Sequence, residues 1–406
     1  MLRSMYSGIS GMKNFQTKLD VIGNNIANVN TYGFKKGRVT FKDTMNQTIS
    51  GASAAQDARG GRNPMQVGLG STLSTIDTIH TQSSLQSTGR PLDLAINGDG
   101  YFVVKQGEAQ FYSRAGNFYL DDNGTLVNGD GMKVQSYENG ILQDIKVNVN
   151  AQLPAKTTKT ISMYGNLSND AAGSDPFVQQ INVVDSTGKQ VTLDMELTPA
   201  GSPSHTWDLK FINQNDGNPL PPVSYQINFT QNPQTGEWEA PATAAIDLPI
   251  SDTNNDGVAE LLPVTVNLSN LKNEPGDLSA SADPDGNTAG SLESFNIGSM
   301  GEINGVYSNG EITTIGYLAL AKFSNPSGLT KAGGNSFQQS VNSGTPNINV
   351  AGEGRGTIVS GSLEMSNVDL SEEFTEMITA QRGFQANTRI ITTSDEILQE
   401  LVNLKR

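Results

Sequence analysis

The chain contains two histidines, His80 and His205, and their surroundings decide whether hydrolytic chemistry is possible. Ser204 directly precedes His205 in the segment SPSHTW, so a serine and histidine pair is available there. No strand-to-helix nucleophile elbow and no second converging group accompany this pair. The sequence therefore favours ordinary turn or surface histidines over a hydrolase site.

A second candidate for chemistry is the segment from Asp252 to Gly257. Asp252, Asn254 and Asp256 place oxygen-bearing side chains at alternate positions, as Ca²⁺ loops do. Such a loop needs a bidentate acid at its twelfth position, which is Pro263 here, and flanking helices are not predicted. The pattern favours a polar turn rich in Asp and Asn, with calcium binding as the weaker alternative.

Composition excludes several further classes of site. Cysteine is absent, which rules out disulfides, thiolate zinc sites and cysteine nucleophiles. The formal net charge of −15 disfavours nucleic acid, because phosphate binding needs a basic surface. The first residues lack the apolar run and cleavage site of a secretory signal, and no stretch of roughly 18 apolar residues is present. We expect no enzymatic activity, cofactor, metal, nucleic-acid partner or membrane insertion.

The elements that carry the chain are predicted from composition and periodicity. With 406 residues and 35% hydrophobic side chains, the chain can bury the cores of two or three domains. Its 43 glycines and 17 prolines favour short strands joined by tight turns. The predicted fold is therefore mainly β, with α-helical termini that pair as a coiled coil.

A long amphipathic helix is predicted at each end. Apolar residues recur at every seventh position up to Ile26 in the first helix, and Asp369 or Ser371 can cap the second. Each helix is marginal alone, so we expect the termini to fold on assembly. The predicted seam comprises Met5, Met12, Leu19 and Ile26 in the first helix and Leu370, Met377, Phe384, Ile391 and Leu398 in the second.

The seam of the second helix is interrupted. Gln381, Thr388 and Asp395 occupy what the heptad spacing predicts as the alternate core positions. Gly383 lies inside the helix, where glycine costs about 1 kcal/mol relative to alanine. The sequence alone leaves two interpretations of this glycine, a site of close helix packing and a tolerated defect.

The order of patterns along the chain predicts nested domains. Strand patterns begin near Thr72, become a distinct region near Ile145, and resume in their first form after Asp285. The predicted parts are a terminal helical domain of 1–42 and 361–406, a linker or extended segment of 43–70, a discontinuous first β domain of 71–144 and 286–360, and an inserted outer β domain of 145–285.

Three segments carry a resemblance. They are NNIANVNTYGFKKGRVTF at 24–41, GRPLDLAINGDGYFVV at 89–104 with SRAGNF at 113–118, and the C-terminal segment from Ser366 onward. These segments resemble the axial proteins of the bacterial flagellum, a family of rod, hook and hook-associated proteins. The motif residues taken from this resemblance are Asn24, Asn25, Asn28, Thr31, Gly33 and Phe34.

The resemblance implies a function. Because rod proteins of this family are shorter and lack a large inserted domain, it favours a hook subunit that polymerises into a flexible curved tube, a universal joint that transmits torque from the basal-body rod to the filament. Implied partners are further copies of the chain, the distal rod protein, the hook cap, the hook-filament junction proteins and the flagellar type III export apparatus. Export would occur without a cleaved signal peptide, and the resemblance favours close helix packing at Gly383. The alternatives are the distal rod protein or another axial relative, and an extracellular adhesin or carbohydrate-binding β protein.

Overall fold

The computed structural model describes residues 2–54, 60–138, 140–148, 151–170, 175–201, 205–213, 223–233, 237–249 and 261–404. The fold is mainly β with a helix at each end, as predicted. The chain divides into two compact units. The first comprises Met1–Asn148, Asn296–Asn304 and Thr314–Arg406, and the second comprises Val149–Phe295 and Gly305–Thr313.

The terminal helices are α1 (Leu2–Ala27) and α2 (Leu370–Asn403). Asp369 caps α2, because its Oδ1 accepts hydrogen bonds from the N–H groups of Ser371 at 2.8 Å and Glu372 at 3.3 Å. Acidic side chains in the first turn complement the positive end of the helix dipole. The predicted end of the first helix and the predicted cap of the second are thus confirmed.

Strand β1 (Gly37–Asp43) follows α1 and pairs antiparallel with β4 (Ser71–Thr78). Between them, β2 (Asn46–Ser50) and β3 (Met65–Gly68) pair with each other. The segment predicted as a linker or extended segment therefore contains an antiparallel ladder. Its composition is polar and lacks the apolar alternation of a half-buried strand, which is why the sequence did not indicate pairing.

The remaining strands continue in chain order. They are β5 Leu85–Ser87, β6 Leu94–Asn97, β7 Tyr101–Gln106, β8 Ala109–Ser113, β9 Tyr119–Leu120, β10 Leu126–Val127, β11 Lys133–Glu138, β12 Ile141–Asp144, β13 Gln152–Leu153, β14 Thr160–Asn166, β15 Phe177–Val184, β16 Gln190–Pro199, β17 Thr206–Asn213 and β18 Val223–Asn228. They continue with β19 Thr230–Gln231, β20 Trp238–Glu239, β21 Thr243–Pro249, β22 Leu261–Lys272, β23 Ser281–Pro284, β24 Gly290–Ile297, β25 Glu302–Tyr307, β26 Ile312–Tyr317, β27 Leu320–Lys322, β28 Thr330–Gly333, β29 Ser336–Gln338, β30 Asn347–Asn349, β31 Thr357–Ser360 and β32 Ser362–Glu364.

The main sheet of the first unit has the order β28-β29-β8-β7-β11-β10-β9, and β27 also pairs with β7. In that pair, Leu320 lies opposite Phe102, so the sheet joins two distant chain segments. Strands β31 and β32 pair with β6 and β5. The last strands before α2 are thereby held beside the first half of the chain.

The second unit contains one sheet of order β19-β20-β22-β14-β23 and another of order β15-β16-β17-β18. Inward residues of β16 and β17 alternate with outward ones, and Leu193, Met195, Leu209 and Phe211 are fully buried in one apolar core. Asp185 shapes the β15–β16 turn by accepting hydrogen bonds from backbone N–H groups. This arrangement gives the second unit its own core.

The boundaries of the two units differ from the predicted domain limits. The second unit extends to Phe295 and includes 305–313, residues that the sequence places in the first β domain. The reason for the first difference is that β24 pairs with β13, with Ser291 opposite Gln152. Such long-range pairing leaves no mark on local composition.

Candidate functional site

The paired terminal helices and the segments that hold them form the candidate functional site. The helices run antiparallel. Lys18 near the end of α1 forms an ion pair of 3.2 Å with Glu376 near the start of α2, and Gly8 lies against Ile391 further along α2. This pairing brings the two ends of the chain together.

Small residues allow the helices to approach closely. A Cβ atom at Gly383 would lie 2.5 Å from Cζ of Phe15, and one at Gly11 would lie 2.8 Å from Nδ2 of Asn387. Contacts of this length do not occur, so a Cβ at either position would require the facing side chain, Phe15 or Asn387, or the helix that carries it to move. The interpretation of Gly383 as a close-packing site is confirmed.

The predicted alternate core positions of α2 are wrong. Gln381, Thr388 and Asp395 are exposed, whereas Ala380 and Ser394 are buried. Helix α1 lies on the side of α2 that carries small residues, because only there can the two backbones come close. Heptad spacing identifies the central line of the seam but not which flank meets the partner.

The predicted seam residues differ in exposure. Those of α1 are all half-buried, and Ile22 beside them is buried. In α2, Leu370 and Phe384 remain 40% and 36% exposed. The half-buried seam residues are Met5, Met12, Leu19, Ile26, Met377, Ile391 and Leu398.

Asn25 connects three parts of the site. Its Nδ2 donates to both carboxylate oxygens of Glu373 at 3.2 Å and to the carbonyl of Gly37 at 2.9 Å. Its Oδ1 accepts the N–H of Gly37 at 2.9 Å. Burial raises the pKa of Glu373, and the hydrogen bond from Asn25 and the charge of Lys36 oppose that increase. A single buried amide thus fixes α1, α2 and the start of β1.

The other motif residues shape the turn after α1. Asn28 donates to the carbonyl of Asn24 at 2.9 Å and accepts from the hydroxyl of Thr31. Gly33 has a φ of +70°, and a Cβ there would lie 2.5 Å from the backbone N of Ala115. Phe34 is buried. The motif therefore sets the path of the chain from α1 into β1.

A buried ion cluster holds this turn to the rest of the unit. Nζ of Lys35 lies 2.6 Å from Oε1 of Glu364, and NH1 of Arg114 lies 3.3 Å from Oε2 of the same carboxylate. Burial lowers the pKa of Lys35, and the adjacent carboxylate opposes this shift. None of these three residues was predicted as a site residue. The available signal was a glutamate in SLEMS, where strand alternation places it among buried neighbours.

Both histidines pack against aromatic rings. His205 stacks on Trp238 with ring centroids 3.7 Å apart, and its Nδ1 lies 2.7 Å from Oδ1 of Asn273. His80 packs against Phe337, with a centroid distance of 5.2 Å. Ser204 and the segment from Asp252 to Gly257 lie outside the described residues.

Two searches of the described residues gave negative results. No group of three or more His, Cys, Asp or Glu side chains there is placed to hold a metal ion. Among the helices described, none is both long and apolar enough to cross a membrane.

Large apolar side chains remain uncovered on both sides of the α2 seam. Phe374 and Ile378, one turn apart, are 49% and 59% exposed. Ile390 and Ile397, seven residues apart, are 43% and 47% exposed and lie on the other side by helical spacing. A helix with apolar residues beyond its intramolecular contact has surface available for further helices.

Comparison with known proteins identifies what this site belongs to. The family described as "Flagella basal body rod protein" matches residues 5–35. "Flagellar hook protein FlgE/F/G D1 domain" matches 95–169, and "Flagellar basal body rod FlgEFG protein C-terminal" matches 359–404. The flagellar hook protein FlgE of Borreliella burgdorferi is 39% identical, and the alignment covers all of both chains. The chain belongs to the flagellar rod and hook protein family.

Further relatives refine this assignment. The hook protein FlgE of Escherichia coli is 32% identical over 98% of each chain. The basal-body rod protein FlgG of Bacillus subtilis is 40% identical over all of both chains, so length does not separate rod from hook among these relatives. The crystal structure of Helicobacter pylori flagellar hook protein FlgE2 matches 69% of this chain and all of that chain with a TM-score of 0.52 and 14% identity, a likeness of fold.

Family membership confirms the predicted class of protein. The chain is a structural, non-enzymatic subunit of the flagellar hook, located in the hook and basal body. The paired termini lie within the two matched terminal segments, and the match at 95–169 covers much of the sheet of the first unit. The site described above is therefore built from the parts of the chain that carry the family resemblance.

Proposed function

We propose that this hook subunit polymerises through its terminal helices into a flexible curved tube that transmits torque from the basal-body rod to the filament. The observation that carries the proposal is the uncovered apolar surface on both sides of α2. Two different surfaces on one element favour head-to-tail contacts, which generate helical assemblies when rotation does not close a ring.

The exposed side chains supply enough free energy for this role. Full burial of a large apolar side chain contributes about 1.5–3 kcal/mol, so covering the exposed halves of four such residues contributes roughly 3–6 kcal/mol per subunit. This free energy is modest for one contact between two subunits, but every subunit added to a polymer contributes it again. In this arrangement Leu370 and Phe384 also contribute to contacts between subunits. The helix pair itself is held together by the half-buried seam residues Met5, Met12, Leu19, Ile26, Met377, Ile391 and Leu398.

We further propose that the parts of the chain form concentric layers. The terminal helical domain of 1–42 and 361–406 lies innermost, the first β domain of 71–144 and 286–360 in the middle, and the inserted domain of 145–285 outside. The ladder within 43–70 connects the inner and middle layers. Small polar contacts between such layers would let them slide as the tube bends.

Specific partners are also part of the proposal, and family membership supports them. They are the distal rod protein below the hook, the cap at its growing tip, the junction proteins between hook and filament, and the type III export apparatus. The motif residues Asn24, Asn25, Asn28, Thr31, Gly33 and Phe34 serve the tube by fixing the angle at which the chain leaves α1.

The test is electron microscopy of purified protein under conditions that promote polymerisation. We expect the native chain to form short, curved, hollow tubes and F374D/I378D to remain unassembled, because two charges replace apolar contacts between subunits. The matched control F374L/I378L keeps the surface apolar and should assemble. Helical circular dichroism at 222 nm must be equal in both variants before assembly.

Either of two results would count against the proposal. Tubes formed equally by F374D/I378D would show that this side of α2 contacts no neighbour. Straight, rigid tubes from the native chain would favour the rod function that the Bacillus subtilis relative is named for.

A further inference from the structure

Three chain segments meet at one place in the first unit, and we call this place the junction. It consists of residues 33–37 after α1, 79–84 after β4, and 362–368 before α2. The N–H of Ile79 donates to the carbonyl of Lys36 at 2.9 Å. In the folded unit, residues 79–84 therefore lie in space between the segment that follows α1 and the segment that precedes α2.

Backbone and side-chain bonds tie the middle segment to the C-terminal one. The N–H of Met365 donates to the carbonyl of Ser84 at 3.0 Å. Nδ2 of Asn367 donates to the carbonyl of Ile79 at 2.8 Å and to the hydroxyl of Thr81 at 3.1 Å. Displacing residues 79–81 would break contacts to both terminal segments at once.

The interior of the junction carries more positive than negative charge. Among residues 33–37, 79–84 and 362–368, Glu364 is the one acidic residue, and it faces two buried cations, Lys35 and Arg114. Lys35 also donates to the carbonyl of Thr81 at 2.8 Å, and the N–H of Ser83 donates to Glu364 at 3.0 Å. Three groups therefore already bond this carboxylate, and none of its hydrogen bonds or ion pairs is with His80.

His80 lies in the middle segment beside this charge. Its Nδ1 lies 2.7 Å from the hydroxyl of Tyr101, and its Nε2 is buried without a hydrogen-bond partner among the described residues. No carboxylate within the described residues is bonded to either ring nitrogen. A protonated imidazole there would carry a charge without a counter-ion.

Charged and titratable groups face His80 from every element packed around it. Asp99 and Lys322 line the same cavity but neutralise each other through an ion pair of 3.3 Å at its exposed side. The remaining groups are Lys35 after α1, Tyr101 on β7, Arg114 after β8, Lys331 on β28 and Glu364 on β32.

We propose that His80 is the trigger of an acid-sensitive latch: protonation of His80 opens the junction and releases the two terminal helices from the first unit while the second unit stays folded. Geometry carries this inference, because the junction joins both terminal segments through the residues on either side of His80. It goes beyond subunit assembly, and only its consequence for tubes depends on the proposed function.

The acid sensitivity has a definite sign. Burial, with Lys35, Arg114 and Lys331 nearby, lowers the pKa of His80 from 6.5 to about 4. Because the folded pKa lies below the unfolded one, the folded junction prefers neutral His80 by about 300-fold. This stabilisation is complete above pH 6.5 and is lost as the pH falls toward 4. Glu373 acts in the opposite direction, because its pKa is raised by burial.

The chain contains separate probes for its two units. Both tryptophans, Trp207 and Trp238, lie in the second unit, so indole fluorescence reports on that unit alone. The two long helices lie in the first unit and dominate circular dichroism at 222 nm. An acid titration of the full chain at low concentration therefore distinguishes release of the helices from general unfolding.

We expect native protein to lose helical signal between pH 6.5 and 4 with unchanged tryptophan emission. H80N cannot be protonated in this range but can still bond the hydroxyl of Tyr101, and its helical transition should disappear from that window. H205N, which removes the other histidine, should keep the native helical transition.

Three results would overturn the proposal. The first is a native helical signal that does not change between pH 6.5 and 4, and the second is a transition that persists in H80N. The third requires no variant, and it applies even if H80N fails to fold: a histidine NMR titration in which His80 is protonated near pH 6.5 while the helices stay in place. Acid-induced shedding of subunits from tubes would test the consequence for assembly separately.

Discussion

Replacing Gly383 with alanine sets two opposing effects against each other. Alanine is the better helix former, so in open space the change would stabilise α2 by about 1 kcal/mol. At this position the new methyl group would lie 2.5 to 2.9 Å from three ring carbons of Phe15. An ordinary carbon contact is about 3.5–4.0 Å, so the ring or the helix must move by roughly 1 Å.

The clash should prevail. Overpacking of a close contact costs about 1–3 kcal/mol, and the aromatic ring is rigid, so it can only rotate or shift as a whole. Subtracting the gain in helix propensity leaves a net change between zero and about 2 kcal/mol of destabilisation for the helix pair. Gly23 in α1 provides the matched control, because a Cβ there would meet no atom within 4 Å. G23A should stabilise the pair by about 1 kcal/mol.

Urea unfolding followed at 222 nm measures both variants, with tryptophan emission reporting separately on the second unit. The difference between G23A and G383A should be roughly 1–3 kcal/mol in helix stability. Equal stabilisation by both substitutions would refute the reasoning, because it would mean that the helices do not approach closely at Gly383.

Two further predictions concern buried carboxyl groups. E364Q should lower the unfolding free energy of the first unit by about 3–5 kcal/mol, because Lys35 and Arg114 lose their shared counter-ion. The control E372Q removes an exposed ion pair and should change this free energy by less than about 1 kcal/mol. Similar losses for both variants in calorimetry would contradict the role of the buried ion cluster. E373Q should stabilise the helix pair at pH 7, because folding raises the pKa of Glu373 and so disfavours its charged form. The advantage of E373Q over the native chain should be smaller at pH 5 than at pH 7, because Glu373 becomes protonated in the native chain while His80 affects both chains equally. Denaturant unfolding at pH 7 and pH 5 measures this difference, and an advantage that does not change with pH would contradict the role of Glu373.

The features that the sequence predicted well depend on residues that lie close together along the chain. A seven-residue apolar repeat and the capping aspartate at 369 define the helices, because both signals lie within a few turns of the element they describe. The strand patterns that begin near Thr72 and Ile145 were visible for the same reason, since the alternation of each strand is contained in one short segment.

What the sequence could not supply depends on contacts between distant residues. The flank of α2 that meets α1 is chosen by glycine and alanine, residues whose small size carries no hydrophobic periodicity. Lys35 and Glu364 are 329 positions apart, so even the buried neighbours of Glu364 in SLEMS do not indicate that Lys35 is its partner. The unit boundary at Phe295 depends on the pairing of β13 with β24, which single-sequence patterns do not encode.

The wide separation of the residues in the junction also determines when the first unit can form. Gly33 donates its N–H to the carbonyl of Glu364, so the turn after α1 is incomplete until nearly the whole chain is available. Folding that depends on such long-range contacts is slow, because the chain must close a large loop before any contact rewards it. The first unit therefore cannot be completed until the C-terminal segment is present. In a chain that lacks this segment, the second unit can fold while both ends of the chain remain unpaired.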